Sequence, residues 1–349
     1  MAKKILVVDD SALVRKQLST LLKDEGYEVD TARNGKDALD KANEFDYNVI
    51  TMDINMPVMD GLSAVKAIME SNPTSILMVS SLTTEDAPIT FDALDAGAVD
   101  YIAKPGTFNV DIETSGSEIL RKIRTIARIP KSRLLRKAKR NFQRRQREPE
   151  VEKEESKEVA DSIVLIGSST GGPSLIEEIC SSVPVDFSHA ICIVQHMPEQ
   201  FTESFAKRLN RASKVTVKES KDNDTLHRGV VYIAKGGIHT QFRKKVSGKI
   251  IIKHSNSDEK RFFTPSVDEM FFSAVDCFDA SKVLAIQLTG IGDDGADGMV
   301  ALKKAGVYTV AESEESAVVY GMPKEAFLRG GTCEVLSFPK ILRKIVTHR

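Results

Sequence analysis

Cysteine is scarce and scattered. The four residues, Cys180, Cys192, Cys277 and Cys333, lie far apart, mostly within apolar segments. No C-x-x-C pair occurs, so neither a zinc cluster nor a disulfide framework is expected, and the reading is of reduced core thiols in a cytoplasmic protein. Net charge is also lacking: 49 Lys and Arg nearly cancel 50 Asp and Glu. No global field therefore draws the chain to nucleic acid or to a membrane surface. No apolar run approaches the length of a membrane span, so no membrane insertion is expected. Residues 1–10 pass from a charged pair straight into a strand-like run, unlike a signal peptide. What is present, 349 residues at 41% hydrophobic and 28% charged, suits a globular protein long enough for two domains.

In the first third, apolar runs recur at Ile5–Val8, Tyr27–Val29, Asn48–Met52, Ile76–Val79 and Val99–Ile102, with helical patterns between them. This alternation predicts a doubly wound parallel sheet. Ligands of such sheets bind beyond the carboxyl ends of the strands. Asp9 and Asp10 follow the first run, Asp53 the third, Ser80 ends the fourth, and Lys104 follows the fifth. Three converging carboxylates repel one another unless a cation sits among them, and Mg²⁺ suits an all-oxygen site that keeps several waters. Asp53 is then the expected phosphate acceptor, Ser80 a hydrogen-bond partner of a phosphoryl oxygen, and Lys104 its counter-charge.

The motifs Val7-Val-Asp-Asp-Ser11, Met52-Asp-Ile-Asn-Met-Pro57, Met59-Asp-Gly61 and Ala103-Lys-Pro105 resemble the response-regulator receiver domain, over roughly Lys3 to Arg128. The resemblance implies a flavodoxin-like fold and Mg²⁺ held by Asp9, Asp10, Asp53 and the backbone carbonyl of Asn55. It also implies phosphorylation of Asp53 by a histidine kinase, and a switch role for Tyr101 beside those of Ser80 and Lys104.

Ile112 to Ile129 reads as an amphipathic helix, beyond which the pattern decays. Lys131 to Arg147 holds nine Lys or Arg and no acid, and Glu148 to Glu158 turns acidic. Opposed charge blocks read as a solvated linker. The rival reading, a nucleic-acid patch, lacks interleaved aromatics beyond Phe142, so no nucleic acid is expected. The expected division is a receiver domain over 1–128, a charged linker over 129–160 and a catalytic domain over 161–349.

The second half opens on Ile163-Val-Leu-Ile-Gly-Ser-Ser-Thr-Gly-Gly-Pro173, an apolar strand turning through glycines and serines into a helix with proline in its first turn. Such a turn exposes unpaired N–H groups and the positive end of a helix dipole, which can stabilise an oxyanion beside a hydroxyl. Residues 167–171 also fit the G-x-S-x-G elbow, although a plain glycine-rich loop with solvated serines reads equally well from this stretch alone. Ala190 to Gln195 is another buried run and ends at His196. Val215–Lys218, Gly229–Ala234, Thr240–Phe242 and Lys249–Lys253 read as an antiparallel section, with a hairpin turn at residues 246–249. The pairs Phe262-Phe263 and Phe271-Phe272 read as core. Val283 to Thr289 is a strand running into Gly290-Ile-Gly-Asp-Asp-Gly295.

Gly290, Gly292 and Gly295 spell a dinucleotide fingerprint, with Glu312 ending the next strand. Asp293 and Asp294 stand where a pyrophosphate would lie and would repel it; they suit a cation or an imidazolium better. Ser169, His196 and Asp294 thus fall at three strand ends of one sheet, a serine-hydrolase constellation in an order foreign to α/β-hydrolases.

The motifs Gly167-Ser-Ser-Thr-Gly-Gly172, Gln195-His-Met-Pro198, Pro265-Ser-Val-Asp268, Thr289-Gly-Ile-Gly-Asp-Asp-Gly295 and Tyr320-Gly-Met-Pro323 are similar to those of the chemotaxis protein-glutamate methylesterase family, over about Ser162 to Val346. Ile291 stands where Met is usual and Thr264 where Arg often is. The resemblance implies Ser169 as nucleophile, His196 as base and Asp294 as its partner. It implies hydrolysis of glutamyl methyl esters on methyl-accepting chemotaxis receptors, glutamine deamidation as a side activity, and no cofactor for the esterase chemistry. The expected fold class is α/β throughout: a receiver and a doubly wound esterase domain with an antiparallel portion.

Overall fold

The computed structural model describes residues 3–81, 83–104, 112–135, 153, 156–256 and 263–348. The chain divides into two compact units, Met1–Arg147 and Glu148–Arg349.

The first unit alternates strand and helix: β1 (Lys4–Val8), α1 (Ala12–Asp24), β2 (Glu28–Ala32), α2 (Gly35–Glu44), β3 (Val49–Asp53), α3 (Gly61–Ser71), β4 (Ile76–Ser80), α4 (Asp86–Ala96), β5 (Asp100–Ala103) and α5 (Ile112–Ile126). The sheet is parallel in the order β2-β1-β3-β4-β5. β3 and β4 are buried at every residue. Each fully buried Val, Leu or Ile among them stabilises the fold by about 1.5–3 kcal/mol. Polar side chains start three of the helices: Ser11 Oγ accepts from Val14 N–H, Asn34 from Asp37 and Asp60 from Ser63. β2 begins at Glu28 rather than Tyr27, because the Tyr27 N–H closes α1 on the Leu22 carbonyl. Only Ala32 of this edge strand is fully buried, so its apolar pattern is weak.

Where the linker was expected to open, residues 131–135 are helical. Lys131 pairs with Asp46 at 2.8 Å, and Leu134 is buried. At the other end Ala160 N–H bonds the Leu226 carbonyl and Arg228 N–H the Glu158 carbonyl, tying residues 158–160 to the second unit. The charge blocks over 136–152 lie outside the described residues.

The second unit comprises β6 (Ile163–Ser168), α6 (Gly172–Ser182), β7 (Ala190–Gln195), α7 (Glu199–Ala212), β8 (Thr216–Glu219), β9 (Val230–Ile233), β10 (His239–Lys244), β11 (Ile250–Ser255), α8 (Val267–Val275), β12 (Val283–Gln287), α9 (Ala296–Lys304), β13 (Tyr308–Glu312), α10 (Met322–Leu328), β14 (Glu334–Leu336) and α11 (Phe338–Val346). Seven strands pair in the order β14-β13-β12-β6-β7-β9-β8, every pair parallel. β6 lies centrally, between β12 and β7, so three strand ends meet at one edge. That is the crevice where doubly wound sheets bind ligands.

Among the described residues the one antiparallel pair of strands is β10 with β11, beside two isolated antiparallel bridges, Val159 with His227 and Thr225 with Ile251. β10 and β11 form the hairpin expected around residues 246–249, with Gly248 at φ +83°. β8 and β9 do not belong to the antiparallel section, contrary to the sequence expectation. They join the main sheet in parallel, linked by only the short stretch 220–229 with no helix in it. A connection of that length reads as a meander, since parallel crossovers usually carry a helix.

Candidate active site

Ser169 follows the last residue of β6, His196 the last of β7, and Asp294 lies in the turn between β12 and α9. The pairing of Ser168 with Gln195 sets Ser169 and His196 side by side, and His196 N–H bonds the Ser168 carbonyl at 3.0 Å. On the other flank Ser169 N–H bonds the Thr289 carbonyl at 3.0 Å. His196 Nε2 meets Asp294 Oδ2 at 2.7 Å, with both side chains nearly buried. Asp294 takes three more donors: Ser266 Oγ and Val267 N–H at 2.7 Å, and Asp268 N–H at 3.1 Å. Two of these are backbone amides at the start of α8, where a carboxylate also gains from the helix dipole. Burial alone would raise the Asp294 carboxyl's pKa; His196, Ser266 and Val267 outweigh it and hold the group below the usual carboxylate range. Its neighbour Asp268 is pushed up to about 6, chiefly by burial.

The imidazole's other nitrogen, Nδ1, is buried with no hydrogen-bond partner among the described residues. The ring is pinned instead by Phe263, stacked at 3.9 Å between centroids with 14° between planes. Phe263 is therefore a site residue rather than the core residue expected from sequence. Phe271 is core as expected, Phe272 is 37% exposed, and Phe262 lies outside the described residues.

Ser168 and Asp293, each one position off the expected nucleophile and its acid, face elsewhere. Ser168 is fully buried and its hydroxyl bonds Gln195 Oε1 at 2.7 Å. Asp293 is exposed and pairs with Arg329 at 2.5 Å. Gln195 went unremarked in the sequence, although a polar residue ending an otherwise apolar strand is a usable signal. Its Nε2 donates to the carbonyls of Ser169 (3.0 Å) and His196 (3.1 Å), stapling the two strand ends together.

The glycines of the dinucleotide-like pattern have a packing cause. A Cβ on Gly290 would lie 2.1 Å from Met322 Sδ and 2.9 Å from Ser169 Cβ. One on Gly295 would lie 2.2 Å from Gln287 Oε1. Glu312 is fully buried and accepts Thr289 N–H and Ser316 Oγ–H, both at 2.9 Å, so it is not offered to a ribose.

In the first unit, carboxylate oxygens of Asp9, Asp10 and Asp53 lie within 4.8 Å of one another. Asp9 and Asp53 are buried and Asp10 is exposed. Lys104 Nζ reaches Asp53 at 2.8 Å and Asp9 at 3.2 Å. Burial raises the Asp53 carboxyl's pKa, and Lys104 offsets only part of it. For Lys104 burial acts downward, but Asp53 and Asp9 outweigh it and the ammonium's pKa rises. One lysine against three acids leaves the cluster suited to a hard cation. Gly61 is required nearby, since a Cβ there would lie 2.0 Å from the Asp53 carbonyl oxygen.

Ser80 is fully buried at the end of β4, and its carbonyl accepts Lys104 N–H at 2.7 Å. Tyr101 is buried, its phenol pushed well above the ordinary value, first by burial and then by Asp100 and Glu118. Asn55 is exposed, and its side-chain amide bonds Asp86 at 3.1 Å. No helix among the described residues is long and apolar enough to cross a membrane.

Residues 164–345 match the CheB methylesterase family and residues 5–115 the response regulator receiver domain. A protein-glutamate methylesterase/protein-glutamine glutaminase of Carboxydothermus hydrogenoformans is 44% identical, with 98% of each chain covered. One from Archaeoglobus fulgidus is 42% identical over 98% of this chain and 97% of its own. The crystal structure of the Thermotoga maritima CheB methylesterase catalytic domain aligns with a TM-score of 0.51 at 39% identity, covering 54% of this chain and 98% of that one. With both halves matched and the relatives covered end to end, the chain belongs to the CheB methylesterase family of enzymes, with a response regulator receiver domain preceding the esterase.

Proposed function

We propose that this chain hydrolyses glutamyl methyl esters on chemotaxis receptors through Ser169, His196 and Asp294, under the control of phosphorylation at Asp53. One observation carries the reading. A histidine just past the end of β7, beside the β6 end that carries Ser169, pairs with a carboxylate that accepts from four donors. With Nε2 committed to Asp294, Nδ1 is the nitrogen left to take a proton, and among the described residues it has no partner. Catalytic hydrogen bonds are often long before substrate binds, so an unmade bond to Ser169 is compatible with a base.

Ser169 Oγ attacks the ester carbonyl carbon as its proton passes to Nδ1. N–H groups where α6 begins stabilise the oxyanion, each donor worth roughly 2.7–4 kcal/mol. Collapse breaks the bond to methoxide, which leaves as methanol with the proton from His196. Water repeats the steps in reverse, freeing the glutamate and Ser169. An amide substrate follows the same course with ammonia leaving, which supports the glutaminase activity named for the relatives.

In the receiver, Asp9, Asp10, Asp53 and the Asn55 carbonyl would hold Mg²⁺, which neutralises charge during phosphoryl transfer. Asp53 accepts the phosphoryl group from a chemotaxis histidine kinase. Lys104 and Ser80 then turn to its oxygens, with Tyr101 following as the switch residue. Such an enzyme works in the cytoplasm.

The test is methanol release from methylated receptor. Ser169→Ala should lose nearly all activity with its melting temperature unchanged, and Ser168→Ala should keep most of it. The reverse pattern would overturn the assignment of the loop.

A further inference from the structure

We propose that His239 is a positioning residue for the esterase site, acting through Ser266 on Asp294. His239 opens β10, is 3% exposed, and accepts the backbone N–H of Ser266 on Nδ1 at 3.1 Å. A backbone amide can only donate, so Nδ1 carries a lone pair and the ring proton sits on Nε2. Ser266 joins this contact to the reacting groups. Its hydroxyl donates to Asp294 Oδ1 at 2.7 Å, and the same oxygen caps α8 by accepting Glu269 N–H. The next two N–H groups in the chain, those of Val267 and Asp268, also point at Asp294. The amide that His239 holds therefore begins the turn whose following donors fix the carboxylate, and the carboxylate orients His196.

β10 is splinted along α8 at two further points. Gln241 Nε2 bonds Glu269 Oε2 at 2.7 Å, and Phe242 N–H bonds Ser273 Oγ at 2.9 Å. The antiparallel ribbon thus lines up the helix, and His239 is its contact nearest the chemistry. A displacement of about 1 Å in a group that orients a catalytic base can cost on the order of 100-fold in rate.

The proposal rests on the reading of Ser169, His196 and Asp294 given above, and the experiment separates the two. His239→Phe keeps an aromatic ring but removes the acceptor. His239→Asn keeps an acceptor near the place of Nδ1. In the full-length protein, kcat and KM for methanol release would be measured beside the downfield proton resonance of the His196–Asp294 hydrogen bond. His239→Phe should lower kcat by about 10–100-fold with KM changed by less than about 2-fold, and should shift or broaden the resonance. His239→Asn should keep both near wild type. If His239→Phe fails to fold, His239→Gln, whose acceptor sits one bond further out, takes its place with the same loss expected. A wild-type kcat and resonance in the variant without the acceptor, or an Asn variant as impaired as Phe, would overturn the proposal. Ser169→Ala assayed in parallel reports on the nucleophile: activity retained there sinks the triad, while the resonance still tests His239.

Discussion

Gln195 does at the scale of one residue what a pair of strands cannot do alone. Its amide bonds the Ser168 hydroxyl and the carbonyls of Ser169 and His196, so both strand ends are fixed by a single side chain. Removing it leaves the buried Ser168 hydroxyl and the His196 carbonyl without that partner, while the Ser169 carbonyl keeps the Gly172 N–H. Each buried group left unsatisfied costs about 1–3 kcal/mol. Gln195→Ala should therefore lower both the melting temperature and kcat, whereas Ser169→Ala should lower kcat alone. Thermal melts and initial rates on the two variants check this. Gly172 shows the same tightness from the other side: a Cβ there would lie 2.2 Å from Gln195 Oε1.

At the scale of elements, the start of α8 meets the turn before α9 through two acids of opposite behaviour. Asp294 is held below the usual carboxylate range, so its contribution to stability is present above the unfolded carboxyl's pKa and is lost as pH falls through the folded value. Asp268 runs the other way. Its carboxyl is raised from 3.8 to about 6, mainly by burial, although it accepts Gly298 N–H at the start of α9. Between about pH 4 and pH 6 the folded protein holds a proton there that the unfolded chain has released, so this group's contribution falls as pH rises. Asp268→Asn removes the titration. The melting temperature of the variant minus that of wild type should become more positive from about pH 4 to about pH 7. A difference that stays flat, or falls, across that range would count against the raised carboxyl.

At the scale of the whole molecule, two chemistries share one chain. The receiver's acidic cluster and the esterase site each stand at the carboxyl edge of their own parallel sheet. We propose that the unphosphorylated receiver restrains the esterase and that phosphorylation at Asp53 relieves the restraint. Moving a closed–open equilibrium from about 1% to about 99% open takes roughly 5.5 kcal/mol of differential stabilisation, and a smaller shift still raises activity tens of fold. A fragment over about residues 161–349 should be faster than the unphosphorylated full chain and indifferent to phosphodonor. The full chain should respond to phosphodonor with Mg²⁺, and Asp53→Asn should neither take label nor respond. A fragment slower than the full chain would make the receiver an activator instead of a restraint.

The alternation of strand and helix, the acids at strand ends and the serine elbow were legible in the order of residues, because apolar period and turn chemistry are local properties. Strand direction was not: Thr216–Glu219 and Val230–Ile233 look the same whether they pair in parallel or antiparallel, and only the sheet decided. The elbow pattern over residues 167–171 puts its serine at position 169; only the tertiary structure gives the inward turn of Ser168 onto Gln195. The likeness of residues 290–295 to a dinucleotide loop was already opposed in sequence by Asp293 and Asp294, and the fold adds that Glu312 is buried and bonded within the protein. Phe263 and His239 carry no signal of their own in sequence, and Ser266 stands out there only as part of Pro265-Ser-Val-Asp268. Their roles depend on which atoms lie against His196 and Asp294, and those atoms come from segments far apart along the chain, brought together only by the packing of α8 beside β6 and β10.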